Sequence, residues 1–210
     1  MSRQPSEKKP ELSRQIRKNT KSNQEIEQDI RAFLEEASSK PGTTDKPGCP
    51  LKHGFACVLA TVHNGVPRAT PIDFFVDGMT IWCAGEPGLK IRNIRSNPNV
   101  AVGIYHPMDH SKLNRSLQIS GTATLLSYND DPAAFLERLK IMGIYDAASK
   151  IIREMHAAQG TQPENFEQEM INHLRRFNLI KIEPEEITML RIHPTEGTEK
   201  NVWKREPPAA

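Results

Sequence analysis

Cysteines and long apolar runs are scarce in this sequence of 210 residues, and their scarcity excludes several classes of protein. The three cysteines, Cys49, Cys57 and Cys83, are an odd number without CxxC spacing, which argues against a disulfide framework and a zinc knuckle. No apolar run approaches the roughly 20 residues that span a bilayer. Residues 1–19 are basic but carry no apolar segment of the secretory kind. We therefore expect a cytoplasmic protein without a membrane partner.

An excess of charge of one sign is also lacking. Lysine and arginine number 28 against 26 aspartates and glutamates, which gives a formal net charge of +2. Such a balance gives no reason to expect nucleic acid as the main partner. The short motifs of dinucleotide-binding proteins, P-loop enzymes, serine hydrolases and zinc proteases do not occur in the sequence. Function has to be sought in the fold and in residues that are distant along the chain.

The first 50 residues predict an arm, a helix and a linker. Residues 1–20 are polar and charged, which is typical of a flexible arm. Ser22 begins a capping box, and the helix that follows is expected to end near Ser38. The Pro/Gly-rich segment 41–50 is predicted to be a linker. The apolar residues of the helix recur at helical spacing: Ile26, Ile30, Phe33, Leu34 and Ala37.

The middle of the chain has the alternation that is typical of β-strands. Asn64-Gly65 predicts a two-residue hairpin turn, and Asp77-Gly78 predicts a second tight turn. Gly121, inside a long apolar run, indicates a bulge or a bend. The predicted strands are 55–63, 66–76, 79–84, 100–106, 115–127, 178–183 and 187–193.

Helical periodicity returns between residues 131 and 177. Asp131 is placed as an N-cap with Pro132 at the first helical position, and two further amphipathic stripes follow. Five to seven antiparallel strands with late helices indicate a mainly β protein, a small β-barrel with added helices. We assign residues 21–195 to this domain and 196–210 to a polar C-terminal tail.

Metal and nucleophile chemistry has little support in the residues. His106, Asp109 and His110 cluster in one polar segment, but no third strong ligand stands at a metal-binding spacing, so a polar loop is the favoured interpretation. Cys57 and Cys83 lie inside predicted strands, where a free cysteine usually behaves as a small apolar residue.

The segment GEPGLKIRNIRSNPNV, residues 85–100, has two interpretations. It predicts a short helix over 89–95 with Leu89, Ile91 and Ile94 buried and the cations outward. Spacing alone favours a solvated surface for these cations. In the alternative, free N–H groups at the helix start and Lys90 hold a phosphate, with Arg68 as a second, forked contact.

A resemblance decides between these interpretations. The stretch LATVHNGVPRATPIDFFVDGMTIWCAGEPGLKIRNIRSNPNVAVGI closely resembles the FMN-binding split-barrel family typified by pyridoxamine 5′-phosphate oxidase. LQISGTATLL (117–126) and ITMLRIHP (187–194) look like later strands of that family. The matching residues are Leu59-Ala60-Thr61, Gly65, Pro67-Arg68, Pro71, Lys90, Asn93-Ile94, Asn97-Pro98 and Val100.

The resemblance implies a six-stranded antiparallel split barrel that forms a homodimer, with one FMN at each of two subunit interfaces. It implies that Arg68 and Lys90 bind the FMN phosphate, that backbone groups near Pro71 face the flavin ring, and that Gln118 approaches from the second subunit. Trp203 corresponds to a C-terminal aromatic residue that covers the flavin in some members. The implied cofactor-binding residues are Arg68, Ala69, Thr70, Pro71, Ile72, Ala84, Leu89, Lys90 and Gln118.

The sequence also departs from the family pattern. Ala84 and Gly88 stand where many members have hydroxyl residues at the phosphate site, and Asp73 stands where the true oxidases have a lysine. An acid there does not suit a phosphorylated substrate. We therefore expect an FMN-dependent oxidoreductase acting on another small organic molecule. The alternatives are a non-catalytic flavin- or haem-binding protein, with His106 and His110 as the residues to check for haem, and an F420-dependent reductase.

Overall fold

The computed structural model of the chain describes residues 16–42, 51–109 and 111–207. The predicted arm up to residue 15, most of the 41–50 linker with Cys49, and His110 lie outside these residues. The helices are α1 Asn23–Ala37, α2 Leu89–Ser96, α3 Pro132–Ile141, α4 Ile144–Gln159 and α5 Phe166–Leu174. The strands are β1 Ile16–Lys18, β2 Lys40–Pro41, β3 Leu51–Lys52, β4 Ala56–His63, β5 Val66–Asp73, β6 Phe75–Asp77, β7 Thr80–Gly85, β8 Asn99–Tyr105, β9 Asn114–Ser127, β10 Asn178–His193 and β11 Gly197–Lys204.

Local signals in the sequence place the starts of two helices. The Ser22 hydroxyl accepts a bond from the Glu25 N–H, and the Glu25 carboxylate accepts one from the Ser22 N–H, which completes the predicted capping box of α1. The Asp131 carboxylate accepts a bond from the Ala134 N–H at 3.0 Å at the start of α3. Both predicted caps are confirmed.

The β4–β5 hairpin also forms as predicted. Asn64 and Gly65 have φ of 50° and 75°, the left-handed values that a two-residue turn requires. The two strands pair without interruption from Ala56 opposite Asp73 to His63 opposite Val66. The second turn consists of Gly78 and Met79, one residue later than predicted, because Asp77 still pairs with Thr80.

The sheet differs from a closed antiparallel barrel of six strands. Within the described residues it has nine strands, in the order β1-β11-β10-β9-β8-β4-β5, with β7 joined to β10 and β6 joined to β7. The predicted strand 66–76 breaks at Phe74, which is fully buried and whose carbonyl accepts a bond from the Ser39 N–H at 2.8 Å. Because Phe74 leaves the ladder, β5 pairs only with β4 and β6 only with β7. The barrel is therefore split between β5 and β7, and hydrogen bonds do not close it.

The segment 178–193 is one strand and not two. β10 pairs with β9 along its length, with a shift in register between Pro184 and Glu186. Gly121 lies opposite this irregularity, and a Cβ there would stand 2.3 Å from the Glu183 carbonyl oxygen. The predicted bulge is thus on the partner strand, and Gly121 is required because the bulging backbone approaches it closely.

The predicted C-terminal tail is wrong, because β11 pairs antiparallel with β10. The predicted arm ends before residue 20, since β1 pairs with β11 in parallel. Because some inward positions of β11 are polar, its sequence lacks the alternation of apolar and polar residues that predicts a strand. The buried Glu199 carboxylate accepts hydrogen bonds from the Thr20 hydroxyl at 2.8 Å and from the Asn201 amide at 2.7 Å.

Two apolar cores divide the domain. The first lies inside the barrel and under α1, and includes Cys57, Leu59 and Cys83. The second lies between α3–α5 and the other side of the sheet, where Phe75, Trp82 and Leu179 are buried. The late helices therefore cover one side of the sheet. No helix among the described residues is long and apolar enough to cross a membrane.

Candidate functional site

The split between β5 and β7 exposes polar backbone. Among the strands of the described residues, β5 is hydrogen-bonded to β4 alone, so its other edge presents N–H and C=O groups without a strand partner there. This edge lies where β7 ends and α2 begins. A row of donors and acceptors beside a helix start is suited to a ligand with both a polar ring edge and an anionic group.

Side chains of β5 divide between two faces. Thr70 pairs with the buried Leu59, so Arg68, Thr70 and Ile72 lie on the face that continues toward the barrel interior. Ala69 and Pro71 lie on the opposite, outer face. The predicted cofactor-binding residues of β5 thus lie on both faces of the strand.

A buried asparagine fixes α2 against this strand pair. The Asn93 amide donates to the Thr61 hydroxyl at 3.0 Å, and Thr61 stands directly opposite Arg68 in the β4–β5 ladder. Lys90 precedes Asn93 by three residues and therefore lies on the same side of the helix. The contact brings the Lys90 side of α2 toward Arg68.

The Lys90 side chain folds over a glycine. A Cβ on Gly85 would lie 2.5 Å from Lys90 Cε and 3.7 Å from Ile72 Cδ1, so β5, β7 and α2 meet at this point. The Lys90 ammonium donates to the Glu86 carbonyl at 3.2 Å. We call Arg68, Thr70, Ile72, Gly85 and Lys90 the split cradle. A side chain at position 85 would displace Lys90 from it.

The split cradle has uncompensated polar groups. Within the described parts of the chain, neither Arg68 nor Lys90 forms an ion pair with a carboxylate. The Thr70 hydroxyl oxygen is buried and has no hydrogen-bond partner in the same residues. Buried hydroxyls are normally satisfied, so an unsatisfied one on the same strand face as Arg68 makes this a candidate ligand site.

Two thiols lie beneath the split cradle but are not nucleophiles. Cys57 and Cys83 are fully buried. A hydrogen bond with Cys57 and burial raise the pKa of the Cys83 thiol well above its usual range. Cys83 therefore stays protonated at neutral pH, in agreement with its predicted apolar role.

Besides Ala69 and Pro71 on the outer face of β5, three predicted site residues lie apart from the split cradle. Leu89 is 48% exposed at the start of α2, contrary to its predicted burial. Ala84 packs with the core beneath α3–α5, and Gly85 takes the inward position instead. Gln118 lies on the outer face in a shallow groove of about 420 Å³ between β4, β8, β9 and β10.

His106 and Trp203, considered for contacts to haem and to the flavin, both pack against other parts of the chain. His106 packs between Phe33 and Phe55, with ring centroids 5.0 and 4.7 Å away. Burial, and to a smaller extent the positive charge of Arg115, lower the pKa of His106. The described residues contain no group of three His, Cys, Asp or Glu side chains that could hold a metal ion. The indole of Trp203 is buried and donates to the Glu27 carboxylate at 3.0 Å.

Sequence reasoning missed two residues that build the split cradle. Asn93 is predicted only as part of the family pattern. A polar residue between the apolar Ile91 and Ile94 of the predicted helix could have indicated that the helix is anchored by a side-chain hydrogen bond. Gly85 is predicted only as part of a turn, and it gives no sequence signal of its contact with Lys90.

The chain is a mainly β domain with added helices, whose sheet is open between β5 and β7 within the described residues, with Arg68 and Lys90 beside the opening. Residues 50–191 match the sequence model of the family described as pyridoxamine 5′-phosphate oxidase. This match covers more than half of the chain, and the chain belongs to that family. No curated protein matches the sequence.

Several solved structures are similar to the chain. A protein of Listeria innocua, described as a candidate pyridoxamine 5′-phosphate oxidase, is 25% identical, with 78% of this chain and 97% of that chain covered and a TM-score of 0.47. A pyridoxamine 5′-phosphate oxidase-related, FMN-binding protein of Nostoc punctiforme is 16% identical, with coverage of 72% and 88% and a TM-score of 0.46. A FAD-binding protein of Mesorhizobium loti is 17% identical, with coverage of 66% and 86% and a TM-score of 0.46.

Proposed function

We propose that the chain is an FMN-binding flavoprotein that acts as an oxidoreductase on a small organic substrate. The observation that carries the proposal is the unsatisfied Thr70 hydroxyl at the free edge of β5. It lies on the same face as Arg68, a cation without a carboxylate partner among the described residues. A flavin mononucleotide has both a phosphate for the cations and a ring edge for the backbone groups. Membership of the family supports this choice.

The phosphate end of the site depends on charge and backbone. Arg68 and Lys90 supply two cations, and the first turn of α2 supplies unpaired N–H groups. Gly88 at the N-cap has no side chain to bond these groups. With Ala84 and Gly88 in place of hydroxyl residues, the two cations carry more of the phosphate binding than they would otherwise.

The ring end of the site depends on β5. The free edge of Thr70–Ile72 faces the split, and the Ile72 side chain contributes an apolar surface next to Gly85. FMN, when bound, supplies the transfer of hydride or single electrons. The chain binds and orients it there, so the lack of an acid–base motif does not argue against an enzyme.

The outer face of the sheet is proposed as the interface of a homodimer. Six of its residues are small or uncharged and are exposed or half-buried: Val58, Ala60, Ala101, Gly103, Gln118 and Ser120. Glu186, at the margin of the groove, forms an ion pair with Lys204. Pairing across β5, β4, β8 and β9 places Pro71, Val58, Gly103 and Gln118 in one row on this face. A second copy seated here brings its Gln118 toward the first copy's β5, which one chain alone does not achieve.

Replacing Ala101 by arginine is expected to convert the dimer into a monomer and to weaken FMN binding. Ala101 is exposed in the middle strand of this face, and a buried, unpaired charge there opposes association. Light scattering after gel filtration measures the mass. Ala133→Arg, at an exposed position of α3, is the matched control and keeps the parent mass. Equal masses for both variants would contradict the proposed interface.

The visible spectrum of the purified protein tests the cofactor. A flavin band, present on purification or after addition of FMN, that bleaches with NAD(P)H under anaerobic conditions supports a reductase. A colourless protein that does not bind added FMN would overturn the proposal. A Soret band would assign haem, and binding of F420 without FMN would assign the deazaflavin.

A further inference from the structure

A carboxylate and an imidazole lie together where the split begins. Asp73 is the last residue of β5, one residue before the buried Phe74 at which the strand leaves the ladder. The His53 Nδ1 lies 3.5 Å from the Asp73 Oδ2, and both side chains are more than half exposed. The pair therefore stands where β5 leaves the ladder, next in the chain to the β5 segment proposed to face the flavin.

The fold holds His53 in this position. The Gly54 N–H donates to the Ser39 hydroxyl at 3.0 Å, and the Phe55 N–H donates to the Ala37 carbonyl at 2.7 Å. The Ser39 N–H in turn donates to the Phe74 carbonyl. The end of α1 thus ties the segment before β4 to the break after β5, which brings His53 and Asp73 together.

Asp73 has no permanent cation as a partner. Among the residues that the structure describes, no lysine or arginine lies within ion-pair distance of it, and its one ion-pair contact is with His53. Besides the hydrogen bond to Cys57 and burial, the pKa of the Cys83 thiol responds to Asp73, which raises it, and to Lys90, which lowers it. Asp73 and Lys90 therefore act on the same end of β7.

We propose that Asp73, positioned beside His53, selects a substrate that is neutral or carries a protonated nitrogen and disfavours an anionic one. This inference rests on the proposed function. A bound FMN phosphate neutralises the cations of the split cradle, and the carboxylate of Asp73 then dominates the field at the open end. Asp73 is thus a specificity determinant for the molecule that exchanges electrons with the flavin.

Electron acceptors of opposite charge test the inference. The FMN-loaded protein is reduced anaerobically by light, with EDTA as the electron donor, and is then mixed with hexaammineruthenium(III) or with hexacyanoferrate(III). Two of these one-electron acceptors oxidise one reduced flavin. The measured quantity is the ratio of the two rate constants, cation over anion. Asp73→Asn is expected to lower this ratio by about tenfold, and Asp73→Lys is expected to lower it further.

A control and a second measurement separate recognition from structure. Asp146→Asn, at an exposed position of α4, is expected to keep the parent ratio. Asp73→Asn is also expected to raise the flavin midpoint potential, because a nearby carboxylate disfavours the more negative reduced flavin. This potential is independent of turnover.

The outcomes distinguish the inference from the function on which it rests. A protein that binds no FMN overturns both. A flavin-loaded Asp73→Asn variant with the parent ratio and the parent midpoint potential overturns the inference alone. A fall in the ratio that Asp146→Asn shows equally would also overturn it, because the effect would then belong to net charge.

Discussion

Replacing Lys90 by alanine is expected to weaken FMN binding by about 10- to 100-fold while the apoprotein unfolds at the parent temperature. A hydrogen bond to a charged group contributes about 1.5–3 kcal/mol, and 1.4 kcal/mol is a factor of about ten in affinity. The Lys90 ammonium bonds only to the Glu86 carbonyl within the described residues, so its removal leaves no buried partner unpaired in the apoprotein. Arg68→Ala is expected to have an effect of the same size.

Quenching of FMN fluorescence during titration with protein measures the affinity. The titration is repeated at higher salt, because screening weakens the contribution of exposed charges and should narrow the difference between parent and variant. Arg92→Ala is the matched control: Arg92 is exposed on the same helix, outside the split cradle, and is expected to keep the parent affinity. Parent affinity in both Lys90→Ala and Arg68→Ala would place the phosphate elsewhere.

Local patterns predicted the elements that local interactions determine. The Ser22 capping box, the Asp131 cap and the Asn64-Gly65 turn each depend on residues within four positions of one another, and each forms as predicted. The family resemblance, and not spacing, selected Arg68 and Lys90. Spacing alone favoured a solvated surface for the cations of α2, as it still does for Arg92 and Arg95.

Long-range interactions account for the errors. The sequence of β11 predicts a tail because two of its inward residues, Glu199 and Asn201, are polar and are satisfied by Thr20 and by each other. The break at Phe74 depends on a bond from Ser39 on the other side of the linker. Neither partner is near in sequence, so no pattern within a short window reveals the contact.

The split cradle also combines residues that the sequence predicted with long-range contacts that it did not. Sequence placed the cations, but the helix that carries Lys90 is positioned by the bond from Asn93 to Thr61, residues 32 positions apart. The inward residue of β7 is Gly85 and not Ala84, because the alternation along β7 turns the side chain of Ala84 toward the core beneath α3–α5. The shape of the site thus follows from packing that the sequence pattern does not contain.

Gly54→Ala is expected to be the most destabilising of the small substitutions, by about 3 kcal/mol, at the upper end of the range for overpacking a filled site. A Cβ at this position would lie 2.0 Å from the Ala37 carbonyl oxygen and 2.4 Å from the Ser38 carbonyl carbon. Both are backbone atoms at the end of α1, where the Ser38 N–H bonds to the Leu34 carbonyl, so neither can move without disrupting the helix. For a domain of this size the loss corresponds to roughly 6–12 °C in the melting temperature.

Thermal unfolding followed by circular dichroism measures this effect, with Gly103→Ala as the matched control. Both glycine variants are made in the Ala101→Arg background, which removes the proposed interface. Gly103 lies in β8, and a Cβ added there would have no atom of the described residues within 4 Å, so that variant is expected to stay within about 0.5 kcal/mol of its parent. Equal melting temperatures for the two variants would show that the segment around Gly54 is not seated on α1. The two variants carry the same substitution, glycine to alanine, but the space around the added Cβ differs. The difference between their melting temperatures therefore measures how closely Gly54 approaches the end of α1, the contact that also holds His53 beside Asp73.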